Sequence, residues 1–117
     1  MADEIKIELV TPNEMLLNDY GDMIVIPGSE GYFGVLPRHA ATIANLQRGK
    51  IDIYHNGSIT SRFFIDGGVA DVLPERVIIL AERAVNLDTV SIQKLDAEAI
   101  NATNTEASFA NAVKAAI

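Results

Sequence analysis

The chain has 117 residues, and its 16 acidic and 9 basic side chains give it a formal net charge of −7. An acidic chain is poorly suited to bind nucleic acid or an anionic membrane surface, because both require a basic face. The absence of cysteine excludes disulfide bonds and thiolate metal sites. Neither a signal peptide nor an apolar run of about 18 residues is evident. We therefore expect a soluble protein of one domain, with room for a small appendage.

Alternation and apolar runs predict the first strands. In residues 5–10, IKIELV, apolar and polar side chains alternate, which is typical of a strand with one solvent-exposed face. Residues 23–26, MIVI, are all apolar and predict a strand that is buried on both faces. Turn-forming residues at positions 11–13 and 19–22 separate these segments.

The segment IPGSEGYFGVLPRHA, residues 26–40, contains three glycines and two prolines. Glycine permits positive φ, whereas proline fixes φ and removes a donor, so this composition excludes a helix and predicts tight turns. In an extended segment Tyr32 and Phe33 would point to opposite faces. We expect Phe33 to lie in the core and Tyr32 to be a contact residue, because tyrosine combines an apolar ring with a polar end.

Turn signals recur through the middle of the chain. Asn56-Gly57 is the preferred pair for a type I′ turn and predicts a hairpin between KIDIY and SITSRFFI. Gly67-Gly68 interrupts the next strand and predicts a bulge or a close backbone crossing. Because turns recur every seven to twelve residues up to about Val85, we expect a β-sandwich or a flattened barrel.

The composition changes near Asp88. Residues 84–117 contain nine alanines and neither glycine, proline nor arginine, which favours helices. Asp88 can cap a first helix, and Thr103 with Glu106 fits the capping box of a second. We therefore predict a mainly β protein with an α appendage: a β-sandwich domain over residues 1–86 and a short antiparallel helical hairpin over residues 87–117.

The sequence contains no recognisable catalytic constellation. His39 and His55 are the only histidines, and neither lies in a recognisable nucleophile motif. We expect His39 to hydrogen-bond within its loop or to contact a partner, and His55 to be a solvated hairpin residue. Two histidines far apart in sequence give a weak metal signal, and the glycine-rich segment lacks the pattern of a phosphate cradle. The sequence therefore predicts no catalytic residue, no cofactor and no metal site.

Several segments together resemble the epsilon subunit of F-type ATP synthases, which is called delta in mitochondria. The resemblance rests on the strand ending in Pro-Gly, the Gly-x-x-Gly pair, LPRHA, LQRGKIDIYHNG, FFIDGGVADV and VIILAERAV, in the expected order from about Ile5 to Val85. It implies an N-terminal β-sandwich of about ten strands, followed by a C-terminal helical hairpin, with no active site.

The same resemblance implies a function and partners. Epsilon subunits belong to the rotating central stalk, bind the gamma subunit and rest on the membrane c-ring, so proton transport is coupled to ATP synthesis. It implies a peripheral position on the cytoplasmic face of the bacterial inner membrane. The match in residues 28–39 makes this span the expected c-ring contact, with Glu30, Tyr32, Arg38 and His39 as its contact residues.

An ATP-sensing or inhibitory module is the alternative function, acting through the C-terminal helices on the alpha and beta subunits. Some family members bind ATP through a motif in which arginine and alanine stand where this chain has Ser91 and Ile92. Serine lacks the charge and the donors of a guanidinium, so we expect weak or no ATP binding. Residues 104–117 carry a single cation, Lys114, which gives them little electrostatic reason to enter an acidic catalytic head. A stand-alone enzyme is a third and poorer alternative.

Overall fold

The computed structural model describes residues 4–89, 109, 111–113 and 115. These residues contain eight β-strands, whose order along the chain follows the turn signals of the sequence. The strands are β1 (Ile5–Val10), β2 (Met15–Gly21), β3 (Met23–Gly28), β4 (Gly31–Val35), β5 (Thr42–His55), β6 (Ser58–Leu73), β7 (Arg76–Ala81) and β8 (Ala84–Asn86).

The strands hydrogen-bond in the order β2-β1-β7-β6-β5-β3-β4, and β8 pairs with β6. Among these pairs β1 and β7 run parallel, and the others are antiparallel. Strands β5 and β6 span 14 and 16 residues, so each takes part in two layers. The first layer joins β2, β1 and β7 to residues 68–73 of β6 and their partners on β5. The second layer joins β3, β4 and β8 to the remainder of the β5–β6 hairpin.

The core lies between the two layers. In β1 the burial alternates along the strand, as its sequence predicts, and the same alternation recurs in β7. Both layers therefore direct one set of side chains inward. The buried cluster consists of Ile5, Ile7, Leu9, Ile24, Ile26, Val35, Leu46, Ile51, Ile53, Phe63, Ile65, Ala70, Val72, Val77, Ile79 and Ala81.

The expectation of about ten strands is wrong for the described residues, which form eight. The strand that Gly67-Gly68 was expected to interrupt runs through both glycines as one continuous strand, β6. Both glycines adopt positive φ, 79° and 143°, and a Cβ on Gly68 would overlap the carbonyl oxygen of Leu80. The diglycine therefore allows a close backbone crossing while the strand continues, which confirms the predicted crossing but not the interruption.

Two other local predictions concern the β5–β6 turn and the C-terminal helices. Asn56 and Gly57 both adopt positive φ, 53° and 79°, and they close the β5–β6 hairpin as predicted. The predicted helical hairpin falls mostly outside the described residues. Of its second helix, residues 109, 111–113 and 115 are described, and they are helical. No helix among the described residues is long and apolar enough to cross a membrane.

Candidate functional site

The β3–β4 turn takes its shape from two of its glycines. Gly28 pairs with Gly31 across the two-residue turn Ser29-Glu30. Gly31 adopts a φ of 133°, which side-chain-bearing residues rarely adopt, and a Cβ on Gly28 would lie 2.9 Å from the Gly31 carbonyl oxygen. The third glycine differs, since a Cβ on Gly34 would meet nothing closer than the Met23 sulfur at 3.4 Å.

Hydrogen bonds to β5 hold this turn in place. The backbone N–H of Ser29 donates to the carbonyl oxygen of Asn45 at 2.9 Å. The side-chain amide of Gln47 donates to the carbonyl oxygen of Gly28, also at 2.9 Å. Glu30 lies exposed at the tip of the turn, so its carboxylate is presented to solvent from a fixed backbone.

Tyr32 and Phe33 lie on opposite faces of β4, as the extended conformation requires. Phe33 is partly buried and packs against the core, whereas Tyr32 is 55% exposed. The Tyr32 hydroxyl accepts a hydrogen bond from the backbone N–H of Lys50 at 3.0 Å. A Cβ on Gly49 would lie 2.5 Å from that hydroxyl, so the glycine makes room for the ring. Tyr32 is thus an exposed aromatic side chain with a fixed orientation.

Arg38 and His39 are anchored to a different part of the sandwich. Arg38 adopts a φ of 65°, and its backbone N–H donates to the carbonyl oxygen of Pro74 at 2.6 Å. The His39 backbone N–H donates to the carbonyl oxygen of Leu36 at 3.2 Å, and His39 Nδ1 lies 2.8 Å from the carbonyl oxygen of Ala40. The prediction that His39 hydrogen-bonds within its own loop is confirmed.

The four predicted contact residues therefore form two pairs. Glu30 and Tyr32 belong to the β3–β4 hairpin and are fixed against the middle of β5. Arg38 and His39 belong to the connection from β4 to β5, which is fixed against the β6–β7 turn. We call these four residues the loop surface.

An apolar surface on the outside of the first layer was missed by the sequence reasoning. Leu80 lies between Val10 of β1 and Val69 of β6, and Val10 in turn pairs with Met15 of β2. These outward side chains form one row across four strands. With Ile43 and Ile78, which lie in the next row on either side of Asp71, they make up the outer apolar face: Val10, Met15, Ile43, Val69, Ile78 and Leu80. Its signal was present in β7, RVIILA, where apolar residues occupy outward as well as inward positions.

Two of the described residues near the C-terminus, Phe109 and Val113, lie over the outside of the second layer. Phe64 points away from the core, yet it is 7% exposed because it packs against Leu87, Phe109 and Val113. The rings of Phe64 and Phe109 are 5.8 Å apart between centroids, tilted by 54°. The guanidinium groups of Arg48 and Arg83 lie 5.8 and 5.5 Å from the Phe109 centroid.

Asp66 joins these two arginines. Its carboxylate lies 2.8 Å from Arg48 Nε and 3.9 Å from Arg83 Nε. The carboxylate therefore holds both cations beside the Phe109 ring. The sequence analysis does not single out Asp66, because residues 48, 66, 83 and 109 are far apart along the chain.

His55 lies near two carboxylates, which the sequence reasoning also missed. Its side chain is 41% exposed, but Nδ1 is shielded from solvent and faces Glu4 and Asp22. The prediction of a solvated hairpin residue therefore holds for one edge of the ring and is wrong for the other. Residues 4, 22 and 55 carry no common motif, so only the pairing of the strands could bring them to attention.

The fold and its surfaces define a class of protein: a β-sandwich whose fixed loops and exposed apolar face are suited to binding other proteins. Residues 4–87 match the family described as ATP synthase, Delta/Epsilon chain, beta-sandwich domain. The chain belongs to this family.

Curated relatives carry the same description. The chain is 40% identical over 97 residues to the ATP synthase epsilon chain of Paramagnetospirillum magneticum, covering 83% of this chain and 73% of the relative. It is 42% identical over 105 residues to the ATP synthase epsilon chain of Granulibacter bethesdensis, covering 86% of this chain and 78% of the relative. The resemblance stated from the sequence motifs is thereby confirmed.

Solved structures share the fold at lower identity. A chain of the Euglena gracilis mitochondrial ATP synthase, from a structure of OSCP, F1 and the c-ring, matches with a TM-score of 0.68 and 22% identity. That match covers 94% of this chain and 74% of the other. A chain of the central stalk and c-ring of the Tetrahymena thermophila mitochondrial ATP synthase matches with a TM-score of 0.60 and 19% identity, covering 76% and 69%.

Proposed function

We propose that this chain is a non-catalytic rotor subunit of an F-type ATP synthase, which links the gamma subunit to the c-ring and couples proton transport to ATP synthesis. The observation that carries the proposal is the match of the sandwich, over residues 4–87, to the delta/epsilon family. The names of the epsilon-chain relatives and the central-stalk origin of one structural neighbour support it. In a bacterium this function implies a peripheral position at the cytoplasmic face of the inner membrane.

The loop surface is the proposed contact with the c-ring. Glu30 offers a carboxylate, Arg38 a guanidinium and Tyr32 an exposed ring with a fixed orientation. Because their backbones are held by hydrogen bonds to β5 and to Pro74, little conformational entropy is lost when a partner binds. A fixed tyrosine and an arginine are also the residue types that most often contribute strongly to an interface.

The outer apolar face is the proposed contact with gamma. Its row from Met15 through Val10 and Leu80 to Val69 crosses four strands, and Leu80 and Ile43 are 52% and 73% exposed. Contiguous apolar surface of this kind on a folded subunit favours a permanent partner, since its burial stabilises the complex. Glu8, paired with Arg76 at 3.9 Å, supplies the polar rim that such an interface needs.

We also propose that the chain divides after residue 86 into a sandwich and a C-terminal helical hairpin. Strand β8 ends at Asn86, and the family match ends at residue 87. The alternative function, ATP sensing or inhibition by the hairpin, requires that the hairpin leave the sandwich. The packing of Phe109 against Phe64, with Arg48 and Arg83 beside the ring, stabilises the docked position instead.

The c-ring contact can be tested by combining Tyr32→Ala with Arg38→Ala. Each side chain is exposed, so the free subunit should unfold at the same temperature as the wild type. Loss of an aromatic and an arginine anchor costs about 2 kcal/mol or more at an interface, so ATP-driven proton pumping in reconstituted membranes should fall. Tyr20→Ala is the matched control, because Tyr20 is 56% exposed but lies on β2. Normal pumping by the double variant would contradict this contact.

A further inference from the structure

The strand pairing brings three metal-ligating residues to one corner of the sandwich. Ile5 of β1 pairs with Gly21 of β2, and Met23 of β3 pairs with Tyr54 of β5. Glu4, Asp22 and His55 are the neighbours of these paired residues in sequence. The backbone N–H of Asp22 also donates to the carbonyl oxygen of Tyr54 at 2.8 Å. The regular part of the fold therefore fixes the positions of all three residues.

The ligand atoms are spaced for a shared ion. His55 Nδ1 lies 3.8 Å from Glu4 Oε2 and 3.7 Å from Asp22 Oδ1, and one ligand atom from each residue lies within 4.8 Å of the others. Direct hydrogen bonds would require about 2.7–3.2 Å. Two ligands of one zinc ion, each about 2.1 Å from it, are about 3.4 Å apart at the tetrahedral angle. The two separations from His55 Nδ1 are therefore too long for direct hydrogen bonds and close to those of atoms that flank a cation.

His55 Nδ1 gives a second, independent indication of a cation site. This nitrogen is shielded from solvent and has no hydrogen-bond partner. A buried polar atom without a partner is unfavourable, and a bound ion would satisfy it. The neighbouring Asp22 is already oriented, because its Oδ2 accepts a hydrogen bond from the backbone N–H of Asn56 at 2.6 Å. That bond leaves Oδ1 directed at His55, as an outer hydrogen bond does for a metal-ligating carboxylate.

We propose that Glu4, Asp22 and His55 form a site for a divalent transition-metal cation, of which zinc is the representative. One imidazole with two carboxylates favours zinc-like ions, whereas magnesium and calcium prefer oxygen ligands alone. The groove beside Glu4 and His55 is also lined by Asp19 and Thr60 and leaves room for water to complete the coordination. The bound ion would join the start of β1, the β2–β3 connection and the end of β5. This site is separate from the residues proposed to contact the c-ring and gamma.

The test is zinc titration of the full-length free subunit, by calorimetry and by thermal unfolding. The wild type should bind one zinc ion per chain and unfold at a higher temperature with zinc, because the ion binds the folded state. His55→Gln should weaken zinc binding about tenfold or more, and Asp22→Asn should do the same while keeping an oxygen acceptor for the Asn56 N–H. His39→Gln is the matched control: it removes the other histidine and should leave the zinc affinity unchanged.

Three results would overturn the proposal. One is a wild type that neither binds zinc nor gains thermal stability from it, which would mean that the three side chains interact only with one another. Another is equal loss of zinc affinity in His55→Gln and His39→Gln. The last is magnesium binding as tight as zinc binding. Should His55→Gln fail to fold, Glu4→Gln serves in its place, because Glu4 is exposed and precedes β1.

Discussion

The two outside faces of the sandwich differ in what covers them. On the second layer, Phe64 is 7% exposed because the C-terminal residues Phe109 and Val113 lie over it. On the first layer, Leu80 and Ile43 remain exposed to solvent. Both faces carry large apolar side chains in strands whose inward residues already form a complete core. The chain therefore covers one apolar face itself and leaves the other available, as expected for a subunit that is assembled into a larger complex.

The comparison also separates two kinds of interaction. The covered face combines aromatic packing with cations, because Arg48 and Arg83 flank the Phe109 ring and share Asp66. The outer apolar face has no aromatic side chain among its named members, and two carboxylates, Asp71 and Glu8, lie beside Ile78 on the same face. A docked segment of the same chain needs only modest affinity, because it is tethered at high effective concentration. A separate subunit needs a larger apolar contact.

The largest expected effect comes from placing a charge at the centre of the outer apolar face. Leu80→Asp should weaken binding to gamma by about 30-fold or more, since central interface residues contribute about 2 kcal/mol or more. Leu80 is half exposed, so the free subunit should keep its fold. The measurement is the affinity of the purified subunit for gamma. Ile59→Asp is the matched control, because Ile59 is 45% exposed beside the β5–β6 turn, away from this face.

That prediction would be contradicted by equal affinities of Leu80→Asp and wild type for gamma. The uncovered face would then be free in the complex as well, and gamma would have to bind elsewhere on the sandwich. Reduced binding by Ile59→Asp to the same extent would instead indicate a general effect of added negative charge.

Removing the ring that covers Phe64 should affect the docking of the C-terminal segment rather than the binding of gamma. Phe109→Ala deletes an almost completely buried side chain, a change that costs about 3 kcal/mol where the site cannot collapse. The loss should be confined to docking of the C-terminal segment, so amide exchange and proteolysis of that segment should increase while β1 to β7 stay protected. Asn111→Ala is the control, because Asn111 is exposed on the same helical stretch. Unchanged protection in Phe109→Ala would show that the ring does not hold the segment.

Much of the fold could be predicted because local signals agreed with the tertiary structure. Residues 5–10 alternate as β1 does, and Asn56-Gly57 forms the turn that its preference for positive φ predicts. Gly67-Gly68 was harder to interpret. Glycine permits unusual backbone angles, but its presence does not show whether a strand ends or only passes close to another strand. Here β6 continues through both glycines and passes close to β7.

The surfaces were predicted less completely, for a physical reason. The loop surface is contained in one short segment, so its turns could be predicted locally, whereas its role as a contact rests on the family resemblance and stays a prediction. The outer apolar face and the Glu4–Asp22–His55 triad are assembled by strand register from segments far apart in the chain. Period-two patterns show which residues share a face of one strand, but not which strands are neighbours. Local patterns could not predict that β1 pairs in parallel with β7, because the two strands are separated by most of the sequence.

A smaller effect is expected from neutralising the carboxylate beside the covered face. Asp66→Asn keeps the shape but removes the negative charge shared by Arg48 and Arg83, so docking of Phe109 should weaken by about 1 kcal/mol. The measurement is the rate of proteolysis of the C-terminal segment at low and at high salt. Added salt should reduce the difference in this rate between the variant and the wild type. Glu82→Gln provides the control, because Glu82 is exposed. A difference that grows with salt would mean that Asp66 does not act through charge.

The smallest functional effect is expected from deleting the covering segment altogether. Removal of residues 88–117 abolishes the Phe109–Phe64 contact and the Arg62–Asp88 ion pair at 3.1 Å, but leaves the main core cluster complete. The truncated chain should therefore lose its helical circular-dichroism signal, keep its strand signal, and still assemble with gamma through the outer apolar face. Because residues 104–117 offer only Lys114 as a cation, ATP hydrolysis by the assembled enzyme should change little.

The measurement is the rate of ATP hydrolysis by enzyme reconstituted with the full-length or the truncated chain, together with thermal unfolding of each free subunit. A large rise in hydrolysis on truncation would show that the segment inhibits through contacts other than charge, and that the covered face is uncovered during the working cycle.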